Sequence, residues 1–454
     1  GWVVHELPRT EAILRQLRYT PCGADDCTYC SRRLDPVLGL QEYFGYEAFR
    51  TFDEESGMGI QERAVRSALA GRSLLTVFPT GGGKSLTFQL PALLEGELTR
   101  ALTVVISPLV SLMKDQVEVL EDRFKIVKAA HLSGLLSPLE RQEVLRQVED
   151  GGIHLLYIAP ETLRSPTLAR LLAKRHIARF VIDEAHCFSA WGHDFRVDYL
   201  YIATYLKQLQ EDKGLERPIP VSCFTATAKP QVIEDITSYF RDRLGVELEP
   251  FISQARRQNL AYEVVEVPDT GNEARQRLLL NLLHSCEKPA IVYASRTKRV
   301  EELAGLIDAA GISVRGFHGQ MDRDMKHANQ EAFMKGEVDV MVATSAFGMG
   351  VDKEDVRTVV HYNISNSLES YVQEAGRAGR NKTIQAKCYV LYHEHDLSQH
   401  FQLLQRTKLN HKEVQQVWRA IKGLTKFRDR ISRSAMELAE AAGWNQEVKD
   451  LQNR

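Results

Sequence analysis

The chain has 454 residues, of which 44% are hydrophobic and 26% charged, and its 58 basic and 60 acidic residues leave a formal net charge of −2. This composition excludes a disordered or collagen-like chain, and the length is enough for about two to four domains. No apolar run approaches the about 18 residues of a membrane span and no signal-peptide pattern is found, so we expect a soluble, cytoplasmic protein without a membrane partner.

The segment 1–40 predicts a small N-terminal addition with three closely spaced cysteines. Cys22, Cys27 and Cys30 follow the pattern C-x4-C-x2-C, and thiolates this close together suit a zinc ion. His5 is a candidate fourth ligand. The same spacing begins ferredoxin-type iron–sulfur sites, and free thiols are a third interpretation. The chain has seven cysteines, an odd number, which disfavours a disulfide framework and favours a reducing compartment.

Short apolar runs such as ALTVVISP, ARFVIDEA and KPAIVYAS alternate with longer segments of helical spacing between residues 71 and 361. This alternation predicts an α/β fold with buried parallel strands flanked by helices. The alternation is interrupted near 240–260, so we predict two lobes, 41–245 and 250–395, followed by a basic helical extension over 396–454. Ligands of such sheets collect at the carboxyl ends of the strands, where the polar motifs of this chain lie.

The segment VFPTGGGKS at 77–85 places a glycine-rich loop between a strand and a helix. Glycines let backbone N–H groups curl around a phosphate, and the helix start adds a partial positive charge. The loop is shorter than the full pattern G-x-x-x-x-G-K-[ST], which would need glycine in place of Phe78. It predicts a nucleotide site in which Lys84 reaches the β- and γ-phosphates and Ser85 binds magnesium. The loop itself is formed by Thr80, Gly81, Gly82 and Gly83.

A second polar motif, FVIDEAHC at 180–187, follows another apolar run. Asp183 is predicted to bind the magnesium ion, and Glu184 to orient the attacking water as a general base. A solvated acidic turn is the alternative. The position of the motif after a phosphate loop, on a strand of the same sheet, favours catalysis.

These motifs and the sequence around them resemble the RecQ family of superfamily 2 helicases. The matching stretches run in the family's order and are FGYEAFR (44–50), FPTGGGKSLTFQLPAL (78–93), SPLVSLMKDQV (107–117), IDEAHCFSAWGHDFR (182–196), FTATA (224–228), FHGQMDR (317–323), VATSAFGMGVDKEDVR (342–357) and SLESYVQEAGRAGR (367–380). The resemblance implies two tandem RecA-like lobes. It also implies an ATP-dependent 3′-to-5′ DNA helicase or translocase that uses ATP and Mg²⁺ in DNA repair or recombination. In a bacterium, such a protein would be associated with the nucleoid.

The resemblance further implies nucleotide contacts from both lobes. Arg50 and Gln61 would contact adenine, although the segment 51–60 replaces a much shorter family spacing, and a plain helix-surface role for Gln61 is the alternative. From the second lobe, Arg380 would be the arginine finger with Arg377 beside it, a contact worth roughly 10³–10⁵ in rate. The ATP side of that lobe would be lined by Gln373, Gly350 and Asp352.

An aromatic-rich loop after the acidic motif is implied to couple DNA binding to hydrolysis. The residues of this loop are Phe188, Trp191, His193, Phe195 and Arg196. Its exposed rings would stack on bases. The alternative is that Trp191 and Phe195 lie in the core. Contacts to a strand without base specificity are expected from Ser107, Lys114, Thr225, Thr227, Ser295, Arg296, His318 and Thr344. The implied partners are single-stranded and branched or partial-duplex DNA.

The stretch 401–433 is basic, with Trp418 and Phe427 interleaved, and predicts either a phosphate-binding surface or a solvated helix. Only Cys286 and Cys388 follow residue 223, so the C-terminal zinc module common in RecQ proteins is not expected. The terminal additions favour a second hypothesis, in which protein partners bind them and the chain is a translocase subunit of a larger repair or phage-defence assembly. An RNA-directed superfamily 2 helicase is a third hypothesis, and a binding scaffold that does not hydrolyse ATP is a fourth.

Overall fold

The computed structural model describes residues 8–24, 26–50, 58–79, 81–189, 196–226, 229–253, 257–268, 271–345, 347, 353–381, 383–398, 411–425, 433 and 435–444. Two α/β lobes with helices added at both ends make up this part of the chain. Several residues with predicted roles lie outside the described residues: His5, Thr80, Trp191, His193, Phe195, Thr227, Gly350 and Asp352.

Lobe one is built on a seven-stranded sheet in which every neighbouring pair is parallel. Its strands, in the spatial order β3-β4-β2-β5-β6-β1-β7, are β1 (Leu74–Val77), β2 (Leu102–Ile106), β3 (Ala129–Leu132), β4 (Leu155–Ile158), β5 (Ile177–Ile182), β6 (Val221–Thr225) and β7 (Glu249–Ile252). β2 and β4 are buried along their whole length because helices cover both faces of the sheet, as their uninterrupted apolar sequences predict.

The helices of lobe one are α4 (Ile60–Leu69), α5 (Lys84–Thr99), α6 (Val110–Asp122), α7 (Pro138–Glu149), α8 (Pro166–Lys174), α9 (Ile202–Lys213) and α10 (Pro230–Leu244). Helix α7 shows how local sequence sets their boundaries. The Ser137 hydroxyl accepts a hydrogen bond from the Glu140 N–H, and the Glu140 carboxylate accepts one from the Ser137 N–H. This reciprocal pair satisfies two N–H groups that the start of a helix leaves without partners.

Lobe two is a six-stranded sheet in the order β10-β11-β9-β12-β13-β8, again parallel at every pairing. Its elements are β8 (Leu260–Glu266), α11 (Asn272–Ser285), β9 (Ala290–Tyr293), α12 (Thr297–Ala309), β10 (Val314–Phe317), α13 (Arg323–Lys335), β11 (Val340–Ala343), β12 (Thr358–His361), α14 (Leu368–Ala375) and β13 (Ala386–Tyr392). The predicted fold class of two tandem α/β lobes is confirmed.

The boundary between the lobes differs from the prediction. The sequence predicts that residues 249–252 span the break and the start of the second lobe, but they form β7, which pairs with β1 at the edge of the first sheet. Lobe one therefore extends to Ile252, and the second sheet begins with β8 at Leu260. The sequence of β7 is misleading because its Glu and Pro residues are not typical of a buried strand, whereas an edge strand tolerates both.

The N-terminal addition consists of α1 (Pro8–Arg18), α2 (Thr28–Arg33) and α3 (Pro36–Phe44), and α1 and α3 pack against α5. At the other end, α15 (His411–Thr425) packs against α16 (Ala435–Ala441), and the Trp444 indole donates a hydrogen bond to Gln416 Oε1 at 2.8 Å. Trp418 is exposed on α15. No helix among the described residues has the length and apolar character that a membrane crossing requires.

Candidate ATP site between the two lobes

The phosphate loop follows β1 directly and ends where α5 begins at Lys84. Gly81 and Gly83 both have φ of +76°, a left-handed conformation that residues with a Cβ rarely adopt. Gly82 N–H donates to the Pro79 carbonyl at 2.9 Å and closes the turn. The amino end of α5 therefore faces the space that a bound phosphate would occupy.

Asp183 and Glu184 lie at the carboxyl end of β5, beside the phosphate loop. Lys84 Nζ is 4.0 Å from Glu184 Oε1. Glu184 has φ of +48°, an uncommon conformation for a residue with a side chain. His186 Nδ1 lies 3.3 Å from both Glu184 Oε2 and Thr225 Oγ1, so the acidic motif is joined to the end of β6.

Burial raises the pKa of Asp183 to about 7, and the neighbouring negative charge of Glu184 contributes to the rise. A divalent cation would offset both effects because it replaces lost hydration with a direct positive charge. Ser85 lines the same cavity and offers a second oxygen ligand. These oxygen donors fit Mg²⁺, which is bound through few protein ligands together with water and phosphate oxygens.

Gln61 and Arg50 lie together although the segment 51–60 separates them in sequence. Gln61 is 2% exposed; its Oε1 accepts a hydrogen bond from Arg50 N–H at 2.9 Å, and its Nε2 donates to Gly83 O at 3.0 Å. The Arg50 guanidinium donates to Gly81 O. The interpretation of Gln61 as a helix-surface residue is therefore wrong, since it bridges the FGYEAFR motif and the phosphate loop.

One cavity of about 330 Å³ gathers the predicted nucleotide residues of both lobes. Those that line it are Arg50, Gln61, Gly81, Gly83, Lys84, Ser85, Asp183, Glu184, Gln373, Arg377 and Arg380. Its volume is in the range of small-molecule sites. Tyr46 also lines it and is not among the predicted residues, although an aromatic residue four positions before Arg50 is a signal that could have found it.

The loop that carries Arg377 and Arg380 reaches the phosphate loop across the cleft. A methyl group at Gly81 would lie 3.8 Å from Cγ of Arg380. Arg377 is buried, and this burial together with the nearby charge of Arg380 lowers its pKa. A site that brings two guanidinium groups to a phosphate loop supplies the positive charge that phosphoryl transfer requires.

Arg257, which sequence reasoning missed, holds this arginine loop in place. Its guanidinium donates to the carbonyl oxygens of Gly376 at 3.2 Å, Ala378 at 2.7 Å and Gly379 at 2.5 Å. Asn259 Nδ2 adds bonds to the carbonyls of Gly379 at 2.8 Å and Ile384 at 2.9 Å. Both residues stand between the two sheets in sequence, so the connection between the lobes also positions the loop.

Known proteins match the chain over both lobes. Residues 58–236 match the DEAD/DEAH box helicase family, and residues 274–382 match the helicase conserved C-terminal domain. The chain is 36% identical over 379 residues to the ATP-dependent DNA helicase RecQ of Bacillus subtilis (strain 168), which covers 83% of this chain and 59% of that protein. It is 37% identical over 343 residues to the probable ATP-dependent DNA helicase RecS of the same strain, and this match covers 75% of this chain and 64% of RecS. The chain belongs to the RecQ family of superfamily 2 helicases.

This RecQ-family chain spans only 59% and 64% of the length of those two relatives. Among solved structures, the DUF1998 helicase MrfA bound to DNA matches it with a TM-score of 0.61 at 20% identity, over 85% of this chain and 54% of that one. Dbp5 of Saccharomyces cerevisiae bound to Gle1 matches with a TM-score of 0.54 at 16% identity, over 91% of this chain and 96% of Dbp5. At these identities the structural matches establish the fold of the RecQ-family chain alone.

Four residues predicted to contact nucleic acid are buried in the RecQ-family chain. Phe188 is 5% exposed and packs against Tyr199, Tyr239 and Phe240, so its ring has no face to offer a base. The side chains of the other three are likewise closed to solvent and cannot reach a strand directly: Ser107, Thr225 and His318. The prediction missed this because a short loop after a buried strand can turn back into the core.

The remaining described residues of this group are accessible at the carboxyl ends of strands or beside them. Ser295 and Arg296 are exposed after β9, and Thr344 is half-buried after the adjacent strand β11. In lobe one, Lys114 on α6 pairs with Glu118 at 3.2 Å. Arg196 Nη1 donates to the Pro108 carbonyl at 2.9 Å, which joins the end of the aromatic-rich segment to the loop after β2.

Proposed function

We propose that the chain is an ATP-dependent DNA helicase or translocase that moves 3′ to 5′ on a single strand and unwinds duplex DNA, in the service of DNA repair or recombination. The observation that carries this proposal is the single cavity in which Lys84, Asp183 and Glu184 of lobe one meet Arg377 and Arg380 of lobe two. A site completed by both lobes makes catalysis depend on their approach.

Each residue of the cavity has a chemical task in this proposal. Lys84 and the glycine loop would hold the phosphates, while Ser85 and Asp183 would hold Mg²⁺, which would supply positive charge to offset that of the phosphates. Glu184 orients the water that attacks the γ-phosphate. Arg380 stabilises the charge that develops on the transferred group, with Arg377 beside it.

The Tyr46 ring and the Arg50 guanidinium both line the cavity, and the adenine base would stack on their flat faces. Gln61 Nε2 donates to Gly83 O at 3.0 Å and to Thr87 Oγ1 at 3.5 Å, whereas Oε1 keeps one lone pair beyond its bond to Arg50. This lone pair can accept from the N6 amino group of adenine, where guanine has an acceptor oxygen instead. This complementarity supports a preference for ATP over GTP.

Communication with DNA is proposed to run through His186. It lies between the catalytic carboxylate of Glu184 and the hydroxyl of Thr225, at the ends of neighbouring strands β5 and β6. A strand held beside the segment after Glu184 would shift this contact and so couple DNA binding to hydrolysis. The relatives RecQ and RecS, which are named as DNA helicases, support DNA as the partner.

The test is steady-state ATPase activity measured without nucleic acid, with single-stranded DNA and with single-stranded RNA. We expect DNA to stimulate turnover strongly and Glu184→Gln to lose it, since the water then lacks its base. Stimulation by RNA alone would favour an RNA-directed enzyme instead. No turnover under any condition would contradict the proposal and favour a scaffold or a subunit that needs a partner.

Direction is tested separately with partial duplexes that carry a single-stranded tail on one end. Unwinding of the substrate with a 3′ tail, and not of its 5′-tailed counterpart, is the expected result. The reverse preference would contradict the proposed polarity while leaving the ATPase assignment intact.

A further inference from the structure

Three cysteines converge where the chain passes from α1 to α2. The sulfur atoms of Cys22, Cys27 and Cys30 all lie within 4.8 Å of one another. Cys22 Sγ and Cys30 Sγ are 3.5 Å apart, much farther than the about 2.05 Å of a disulfide bond. Thiolates bound to one tetrahedral zinc ion at about 2.3 Å each stand about 3.8 Å from one another. The spacing therefore fits three ligands of a single ion.

The backbone around the cluster is shaped to present these sulfur atoms. Gly23 has φ of +78°, which turns the chain immediately after Cys22. Cys22 N–H donates to Cys30 Sγ at 3.4 Å, and Cys27 N–H donates to the Ala24 carbonyl at 3.3 Å. An N–H group directed at a sulfur atom stabilises its thiolate and orients it, as outer contacts do around bound metals.

Helix α2 has no apolar anchor that would otherwise hold it in place. It spans only six residues, and none of them is buried. Helices this short are not stable by themselves in water, so a constraint other than helix propensity or burial is needed. The Tyr29 hydroxyl provides one bond, to the Arg18 carbonyl at 2.9 Å. A structural metal is a common means by which such a small module is held together.

The same module forms part of the wall of the nucleotide cavity. Helix α1 is tied to α5 by the Arg15–Glu95 ion pair at 3.5 Å. Helix α3 lies so close to α5 that a methyl group at Gly39 would be 2.9 Å from Leu94. From α3, the side chains of Leu40 and Phe44 line the cavity. Helix α2 packs against α3, so its position affects how this wall is held.

We propose that Cys22, Cys27 and Cys30 bind one zinc ion, which fastens α2 between α1 and α3 and so stabilises the Leu40–Phe44 wall of the nucleotide cavity. Solvent or a further ligand completes the tetrahedron. An iron–sulfur cluster fits less well because three cysteines would be divided between at least two iron atoms, which sets some of their sulfur atoms farther apart. The metal site is independent of the proposed helicase activity; only its effect on the cavity assumes that a nucleotide binds there.

The first measurement is the zinc content of the purified chain, determined by inductively coupled plasma mass spectrometry. We expect about one zinc ion per chain and its loss in the triple variant C22S/C27S/C30S. The matched control is Cys286→Ser, because Cys286 is a half-buried thiol of lobe two outside the cluster, and it should keep its zinc. Cobalt(II) exchanged into the wild-type site should show the intense visible absorption of tetrahedral coordination and a thiolate charge-transfer band.

The second measurement uses the wild-type chain, so it does not depend on whether the triple variant folds. Removal of zinc by a chelator should lower the melting temperature and weaken binding of a fluorescent ADP analogue several-fold, and added zinc should restore both. Absence of zinc, iron in its place, or zinc retained by the triple variant would overturn the metal site. Unchanged ADP affinity in the zinc-free chain would overturn the link to the cavity wall. Failure of the zinc-loaded chain to bind ADP would instead contradict the proposed function.

Discussion

Arg257→Lys is expected to slow ATP turnover although Arg257 does not line the nucleotide cavity. In the wild type, one guanidinium donates to three carbonyls of the same loop, those of Gly376, Ala378 and Gly379, and so fixes the loop that ends in Arg380. A lysine keeps the charge but offers a single ammonium point in place of a planar fork. Its ammonium group can form a good hydrogen bond to one of these carbonyls, and water then has to donate to the others.

The expected loss of kcat follows from the strength of those hydrogen bonds and from the contribution of the arginine finger to the rate. Each bond to a charged donor contributes about 1.5–3 kcal/mol, but Arg257 is half-buried, so water offsets much of the loss. The loop should therefore loosen rather than unfold. A displacement of about 1 Å in a catalytic group costs about 100-fold, and complete loss of a finger costs roughly 10³–10⁵. We expect kcat to fall about 10- to 100-fold while KM for ATP changes little, because the ground-state contacts lie in lobe one.

The assay is DNA-stimulated ATPase with kcat and KM measured separately, beside the melting temperature of each variant. Arg275→Lys is the matched control: Arg275 donates to the Tyr362 carbonyl and pairs with Asp396, and none of these three residues lines the cavity. It should keep near-wild-type kcat. Wild-type kcat in Arg257→Lys would refute the positioning role, and so would equal losses in both variants that follow their melting temperatures.

Three further outcomes test the site. Lys84→Ala should abolish ATP turnover with an unchanged circular dichroism spectrum, because its 4.0 Å pairing with Glu184 is too long to contribute much to stability; retained turnover would contradict the phosphate-loop assignment. Burial raises the pKa of Asp183 to about 7, above its ordinary value, so the folded chain keeps this carboxyl protonated at pH values where the unfolded chain has lost the proton. The stability linked to this protonation is complete below the ordinary pKa and is lost by the time the pH has risen through about 7. Asp183→Asn should therefore raise the melting temperature more at pH 8 than at pH 5, and equal shifts at both would contradict this reasoning. Trp191→Ala should keep basal turnover and lose DNA stimulation; full stimulation would exclude Trp191 from the coupling loop.

The two sheets and the candidate residues of the nucleotide site follow from local properties of the sequence. Uninterrupted apolar strands that alternate with helices are typical of parallel sheets, and such sheets bind ligands at the carboxyl ends of their strands. Lys84, Asp183 and Glu184 could therefore be predicted as site residues from order and spacing. These are local properties of strand, turn and helix. They do not depend on which distant segments come to lie beside them.

Other positions depend on distant segments of the chain and follow only from the folded structure. Gln61 is buried against Gly83 because α4 packs beside the phosphate loop, whatever the length of 51–60. Phe188 belongs to the core because Tyr239 and Phe240 of α10 cover it. Arg257 holds the arginine loop because its chain segment passes three carbonyl groups more than a hundred residues away in sequence. Periodicity and motifs report what a residue and its neighbours prefer, whereas burial and long-range hydrogen bonds are set by the surfaces that folding brings together.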